Sequence, residues 1–521
     1  MAIKISGNTV IDDSRNITSS GTMSANAYIG DGSQLTNLPG GGNVLEATAS
    51  GTLSDGSTVI VNADGTVSNI TQSTSHVTSS EDFVVTSLSM LNIEYDTANN
   101  KVIVVYRDDS DSNKGKAVVG TISGSTISFG SPVVFNSNLH SEPIGTVYDP
   151  NQQRVILSYR DNTNSYYGTA IVGTVSGNSI SFGSPTVFNS GNTPYSDMSY
   201  DTSNNKVLLV YGDFTFGNYD GAAKVGTVSG TSISFGSETI FSTGGQHHSV
   251  ATVYHPSQNR HVVIYTDGGN SQYGTAIAGT ISGTSVSFGS EHVFNSGATW
   301  YPSLAYDSTS DKVVIGFIDQ GNSSQGAAIV GNLSGNSFTF GTKVIFNPGT
   351  TYEKTGTSYD SINNKTVISY RDGGNTQAGT SVVGTVSGTS ISFGSEIVWW
   401  GLNNGVNYVQ SVFDPDSGKI LIAFRTYYDG ATRGKVLLFD APGVTTTSLT
   451  TENYIGISDG AYTNGQTATI QLAGSVDDAQ SGLTPGSKYY VQGDGSLSTS
   501  AGSPSVFAGT AVATTKLIVK N

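Results

Sequence analysis

The chain has 521 residues, 65 of them Gly and none Cys; only 12% are charged, and the formal net charge is −16 at pH 7. Such a field repels nucleic acid and anionic membrane surfaces, and no basic patch is present to release counterions from phosphates. Without Cys, disulfide frameworks and thiolate metal sites are excluded, and packing and oligomerisation must supply stability.

The opening MAIKISGNTVIDDSRNIT has no charged segment followed by an apolar run, so no standard export signal is expected. Apolar residues never recur at helical spacing, and no run approaches the roughly 18 apolar residues of a membrane span. These features predict an all-β chain that does not insert in membranes.

Residues 1–45 carry brief alternating strands and a Gly-rich end, too little to bury a core alone. Such a segment is stabilised when about three copies wrap together and cover Ile5, Val10, Ile11, Ile17, Tyr28 and Ile29, which predicts a homotrimer; the alternative is a disordered tail. The stretch YIGDGSQLTNLPGG (28–41) is similar to a module of tailed-bacteriophage fibre and appendage proteins, in which GDGS-x-LTNL precedes a distal domain. Residues 42–70 and 453–495 also resemble modules of phage virion structural proteins. The resemblance implies a virion component, made in the host cytoplasm and attached to other virion proteins through this end. Residues 46–73 read as a β linker.

From residue 74 to 442 a degenerate unit of about 53 residues recurs. An aromatic followed by Asp or His marks it at Tyr95, Tyr148, Tyr200, Tyr254, Tyr306, Tyr359 and Phe413. A second marker, Phe-Gly, occurs six times, at Phe129, Phe182, Phe235, Phe288, Phe340 and Phe393. Each unit divides into four strand-like runs separated by Gly, Asn, Ser and Asp. Four short strands cannot bury both faces of their sheet, so the units are expected to stack radially as a seven-bladed β-propeller. The last unit ends after its third strand, whereas residues 75–85 (SHVTSSEDFVV) align with the fourth strand of other units. The predicted ring therefore closes non-covalently, with residues 75–85 as the outer strand of the last blade; a linear solenoid would need a complete last unit. Residues 443–521 alternate short strands with Gly, Pro and Asp turns and read as a separate small β domain.

Connections after strands one and three are monotonous, such as TANNK and SGTS, and read as tight turns. Those after strands two and four vary in length and chemistry and converge on one face, predicted to point away from the fibre segment. Their aromatics suit stacking on sugar rings, so Trp300, Tyr301, His247, His248, Tyr195, Tyr352, Trp399, Trp400 and Tyr408 are candidate ligand contacts. Each is equally suited to packing, and Trp399 and Trp400 stand where earlier units have apolar Val-Phe. Trp300 and Tyr301 rank highest.

An Asp ends strand two in six units, at Asp108, Asp161, Asp213, Asp267, Asp319 and Asp372, with Thr426 in the seventh. A pair of them could act as acid and base on a glycosidic bond if about 5 to 10 Å apart. Catalysis needs one asymmetric pair, so their repetition favours turn capping. The Asp-box pattern and arginine cluster of sialidase-type propellers are missing. Asp109, Asp111 and Asn113 imitate a calcium loop, but Gly115 falls one position late and no bidentate Glu follows in register. No His spacing or phosphate loop points to a cofactor. The expectation is a non-enzymatic appendage binding a host-surface glycan or protein, with a polysaccharide depolymerase and a structural spacer as alternatives.

Overall fold

The computed structural model describes residues 3–5, 8–11 and 43–520, apart from 140–144, 215–218, 246 and 402–404. It separates into two compact units, one of residues 74–445 and one joining the two ends of the chain. The YIGDGSQLTNLPGG stretch and the expected trimer contacts lie outside the described residues, except for a hairpin of Ile3–Ile5 with Asn8–Ile11.

In the larger unit every repeat forms an antiparallel meander. The second repeat runs Gly145–Asp149, Arg154–Asp161 and Tyr167–Ser176, and its outer strand is split into Ser179–Phe182 and Thr186–Asn192, both paired with Tyr167–Ser176. Middle strands are apolar on both faces because a sheet packs on each side: Val102 through Tyr106 are all fully buried. Strands His292–Asp307 and Val344–Asp360 each begin as the outer strand of one repeat and end as the innermost strand of the next.

The two sequence markers have steric causes. A methyl on the glycine of Phe-Gly would fall 2.0 Å from the Thr231 carbonyl oxygen at Gly183 and 1.9 Å from that of Thr284 at Gly236, each in the next repeat's third turn. Gly394 has no such neighbour, because the last repeat lacks that turn. The aromatic near the end of strand four lies across a glycine that starts strand three, as Phe188 over Gly168 and Phe294 over Gly274.

The innermost strands neighbour one another in order, and Val406–Asp414 of the last repeat returns to Leu88–Asp96 of the first. One core holds Leu91, Ile93 and Tyr95 together with Leu421, Ala423, Val436 and Leu438. The Tyr95 hydroxyl donates to Asp416 Oδ2 at 2.9 Å, as the Tyr254 hydroxyl donates to Ser203 Oγ of the repeat before it at 2.7 Å. The fourth strand of the last sheet is Gln72–Val84, paired with Ala431–Thr447. Phe83 lies across Gly434, and Asp82 accepts from Arg433 and from Lys435, the latter at 2.5 Å. These sheets form a β-propeller.

The smaller unit corrects the expected division. Residues 46–73 are not a linker: Val44–Thr48 pairs with Thr467–Gln471 and Thr58–Val61 with Tyr454–Ser458, in one sheet with Val67–Asn69. A second sheet, with Lys488–Val491, Val506–Ala513 and Lys516–Val519 at its centre, shares a core with the first through Ile60, Ile70, Tyr454, Ile457, Val491 and Leu517. Segments that could not bury their apolar faces separately do so together.

Candidate functional site

The two faces of the propeller are built by different chemistry. On one, each Asp of the aromatic-Asp marker accepts backbone N–H groups two and three residues on, as at Asp96, Asp201 and Asp360 at 2.9 to 3.1 Å. The third turns are two-residue loops led by Gly, such as Gly124 at φ 60°.

On the other face lie the variable loops. Here the strand-two Asp residues also cap: Asp108, Asp161, Asp267 and Asp372 accept N–H groups of their own turns at 2.9 to 3.2 Å. Several also latch neighbouring repeats, since the Asn at the end of strand four donates to the Asp of the next repeat, Asn189 to Asp213 at 3.0 Å and Asn347 to Asp372 at 3.3 Å. The exception explains itself: where Thr426 replaces Asp, Trp400 replaces Asn and donates Nε1–H to Thr426 Oγ1 at 3.0 Å. The calcium-like loop has its carboxylates answered by cations, Asp109 by Arg107 at 2.6 Å and Asp111 by Lys114 and Lys116 at 2.9 and 2.7 Å. Among the described residues no three His, Asp or Glu groups are placed to hold a metal ion.

A shared irregularity shapes the centre of this face. Among the described residues the innermost strand slips register as it starts in five repeats, between Ser89 and Asn92, His248 and Ala251, Trp300 and Ser303, Tyr352 and Gly356, and Asn407 and Gln410. Each bulge holds a residue with left-handed backbone: Met90, Ser249, Tyr301, Glu353 and Tyr408, at φ 48° to 62°. Such a conformation costs a side-chain-bearing residue on the order of 1 kcal/mol and re-aims its side chain. All five residues, with Tyr195, Lys354, Asn92, Ser196 and Gln410, line a cavity of about 300 Å³ at the mouth of the central channel.

Below it the channel widens to about 450 Å³ and is lined by hydroxyl residues such as Thr146, Thr252 and Ser411 together with apolar and tyrosyl residues such as Ile93, Met198 and Tyr254, with Asn92, Lys354 and Gln410 shared between the two. Two carboxyls stand in its wall. Burial pushes Glu94 up to about 7, helped by the nearby Asp197 charge and opposed by the Tyr95 N–H at 3.0 Å. Asp197 is also raised by burial, against the Lys354 charge and a Thr252 N–H at 2.9 Å. At the mouth Glu353 accepts from the Tyr408 N–H at 2.6 Å and from Arg371 Nη1 at 3.0 Å. Arg371 and Arg425 lie over the rings of Tyr352 and Tyr408, 5.2 and 4.9 Å from their centroids.

The nine candidate aromatics divide accordingly. Tyr195, Tyr301 and Tyr408 meet at the cavity, although they come from three separate repeats. Trp300 (41% exposed) and Tyr352 (43% exposed) are open to solvent, with the Trp300 ring 6.2 Å from that of Tyr301. His247 is a correction: it is fully buried, packed edge-on against Tyr265 and 3.9 Å from Asp267. Trp399 is another, for it fills the place of the strand-four Phe, lies across Gly379 and donates to Ser381 Oγ at 2.9 Å. Trp400 is half-buried against Phe424. The side chain of His248 lies outside the described residues.

Sequence reasoning missed Met90, Lys354, Glu94 and Asp197. The repeat register holds the signal: Met90, Tyr195, Ser249, Tyr301, Lys354 and Tyr408 each stand five residues before the aromatic of the marker, and Glu94 is the one acidic residue directly before it.

No family model matches this chain, and no curated protein matches it. Among solved structures it is similar to a protein from Lactobacillus plantarum (12% identity, 68% of this chain, 95% of that one, TM-score 0.45). It is also similar to NanB in complex with Optactamide (12%, 71% and 70%, 0.42) and to the C-terminal WD40 domain of Sif2 (10%, 70% and 99%, 0.42). These likenesses concern the path of the chain; the propeller follows from the strand pairing itself.

Proposed function

We propose that this chain is a tailed-bacteriophage virion appendage protein, trimeric through its N-terminal segment, whose seven-bladed propeller recognises a glycan or protein on the bacterial surface without altering it. The observation that carries the recognition role is the channel mouth: three tyrosines from distant repeats converge there, beside a solvent-open Trp300 and Tyr352, on the face that holds the variable loops. A rigid scaffold that spends backbone strain at five bulges to aim side chains at one point is organised for binding. The virion assignment rests on the resemblance of residues 28–41. The strand-two carboxylates on which a depolymerase would draw are turn caps and latches, which supports a non-enzymatic role.

Labelled chain is expected to adsorb to host cells, to be displaced by their extracted surface polysaccharide, and to leave the length of that polymer unchanged. Shortening of the polymer would support a depolymerase. Adsorption to other virion proteins but not to cells would support a spacer.

A further inference from the structure

We infer that the cavity at the channel mouth takes one terminal, uncharged pyranose of a glycan, inserted end-on along the propeller axis, with a single site per chain. The inference rests on the receptor reading above and adds to it the class of ligand and its pose.

Position comes first. The walls are contributed by six repeats, which place Met90, Tyr195, Ser249, Tyr301, Lys354 and Tyr408 at one register position around the axis, so together they form one shared cavity rather than one per repeat. It opens downward into the axial channel, and the two share Asn92, Lys354 and Gln410. A ligand enters it by an end. At about 300 Å³ it stands at the small limit of ligand pockets, which run roughly from 300 to 1,000 Å³, and suits a sugar terminus better than an extended chain.

The lining chemistry is that of a sugar ring. A pyranose offers an apolar C–H face and a belt of hydroxyls. The cavity offers the rings of Tyr195, Tyr301 and Tyr408 together with the amides of Asn92 and Gln410 and the hydroxyl of Ser249.

Charge selects against an acidic sugar. Glu353 is neutralised by Arg371 at 3.0 Å. Lys354, the cation facing the cavity, has its field met by Asp197, whose carboxyl it draws down against burial, and Glu94 stands beside Asp197. The net charge of −16 repels a carboxylate ligand at a distance. The guanidinium groups over Tyr352 and Tyr408 disfavour a cationic one.

The test is saturation-transfer NMR and calorimetry on the full chain, with free glucose, galactose, mannose, N-acetylglucosamine and glucuronate as probes. At least one neutral sugar is expected to bind with one equivalent per chain. Binding should weaken roughly tenfold in Tyr301→Ala and in Tyr408→Ala, each verified as folded by its melting curve, and persist in Ser232→Ala on the opposite face. Tyr301→Phe should retain it. Binding of glucuronate alone, more than one equivalent, or indifference to both tyrosine substitutions overturns the inference and leaves the receptor reading standing. If no probe binds while host cells still adsorb the chain, the inference falls alone; if cells do not adsorb it either, both fall.

Discussion

Glu94 makes the propeller's stability depend on pH in a direction opposite to that of an ordinary surface carboxylate. In the folded chain its carboxyl holds a proton up to about 7, against 4.5 ordinarily, because burial and Asp197 disfavour the charge. Between those values this site binds more protons in the native state than in the unfolded chain, so the contribution of Glu94 is largest at low pH and is lost as pH rises through about 7. Asp82, Asp108 and Asp201, held low against burial by their partners, act in the opposite direction. Asp197, raised by the same burial as Glu94, acts in the same direction as Glu94, and Lys354 opposes it. Glu94→Gln is expected to be more stable than the native chain at pH 8, on the order of 2 kcal/mol, and no more stable at pH 4. Urea denaturation at the two values checks this, and equal stabilities at pH 8 would refute the placement of Glu94. Trp399 supplies a second residue-scale prediction. It occupies the site of a strand-four Phe, so Trp399→Phe should cost less than about 1.5 kcal/mol and leave adsorption to cells intact. Gly379→Ala should cost about 1–3 kcal/mol, since the added methyl meets the Trp399 ring at 2.3 Å. Sequence identified the aromatics of this face but not their fates. His247 and Trp400 resemble Tyr301 in residue type, and what separates Tyr301 is its place five residues before the marker, in a bulge of the backbone that composition alone does not reveal.

Among the elements, the strand that closes the ring bears the most. Phe83 and Asp82 complete the last sheet from the far end of the chain, in the role that Phe188 or Phe294 plays within its own repeat. Phe83→Ala should destabilise the propeller by about 3–5 kcal/mol by opening a void over Gly434. A chain beginning at residue 86 leaves Ala431–Thr447 as an open edge and is expected to self-associate in size-exclusion chromatography. A stable monomer would count against the closure. This element is legible in the sequence, because a repeat missing one marker and a spare copy of that strand elsewhere are both countable. The pairing of Val44–Thr48 with Thr467–Gln471 was not, since strands some 400 residues apart share no period and their turns read equally well as linkers.

At the scale of the whole molecule, the repeat builds a scaffold that is nearly the same in every direction, and its departures from repetition mark where specificity can reside. One departure, the Trp400 and Thr426 exchange, is compensated internally. The other, the set of Met90, Tyr195, Ser249, Tyr301, Lys354 and Tyr408 five residues before the marker, is gathered at the axis, which is why the account places recognition there. The decisive measurement is adsorption of the purified full chain to host cells, comparing the native protein with the Tyr301→Ala, Tyr408→Ala double variant and with Ser232→Ala on the opposite face. The account predicts that the double variant loses adsorption while remaining folded and that Ser232→Ala adsorbs as the native chain does. Undiminished adsorption by the folded double variant would contradict it.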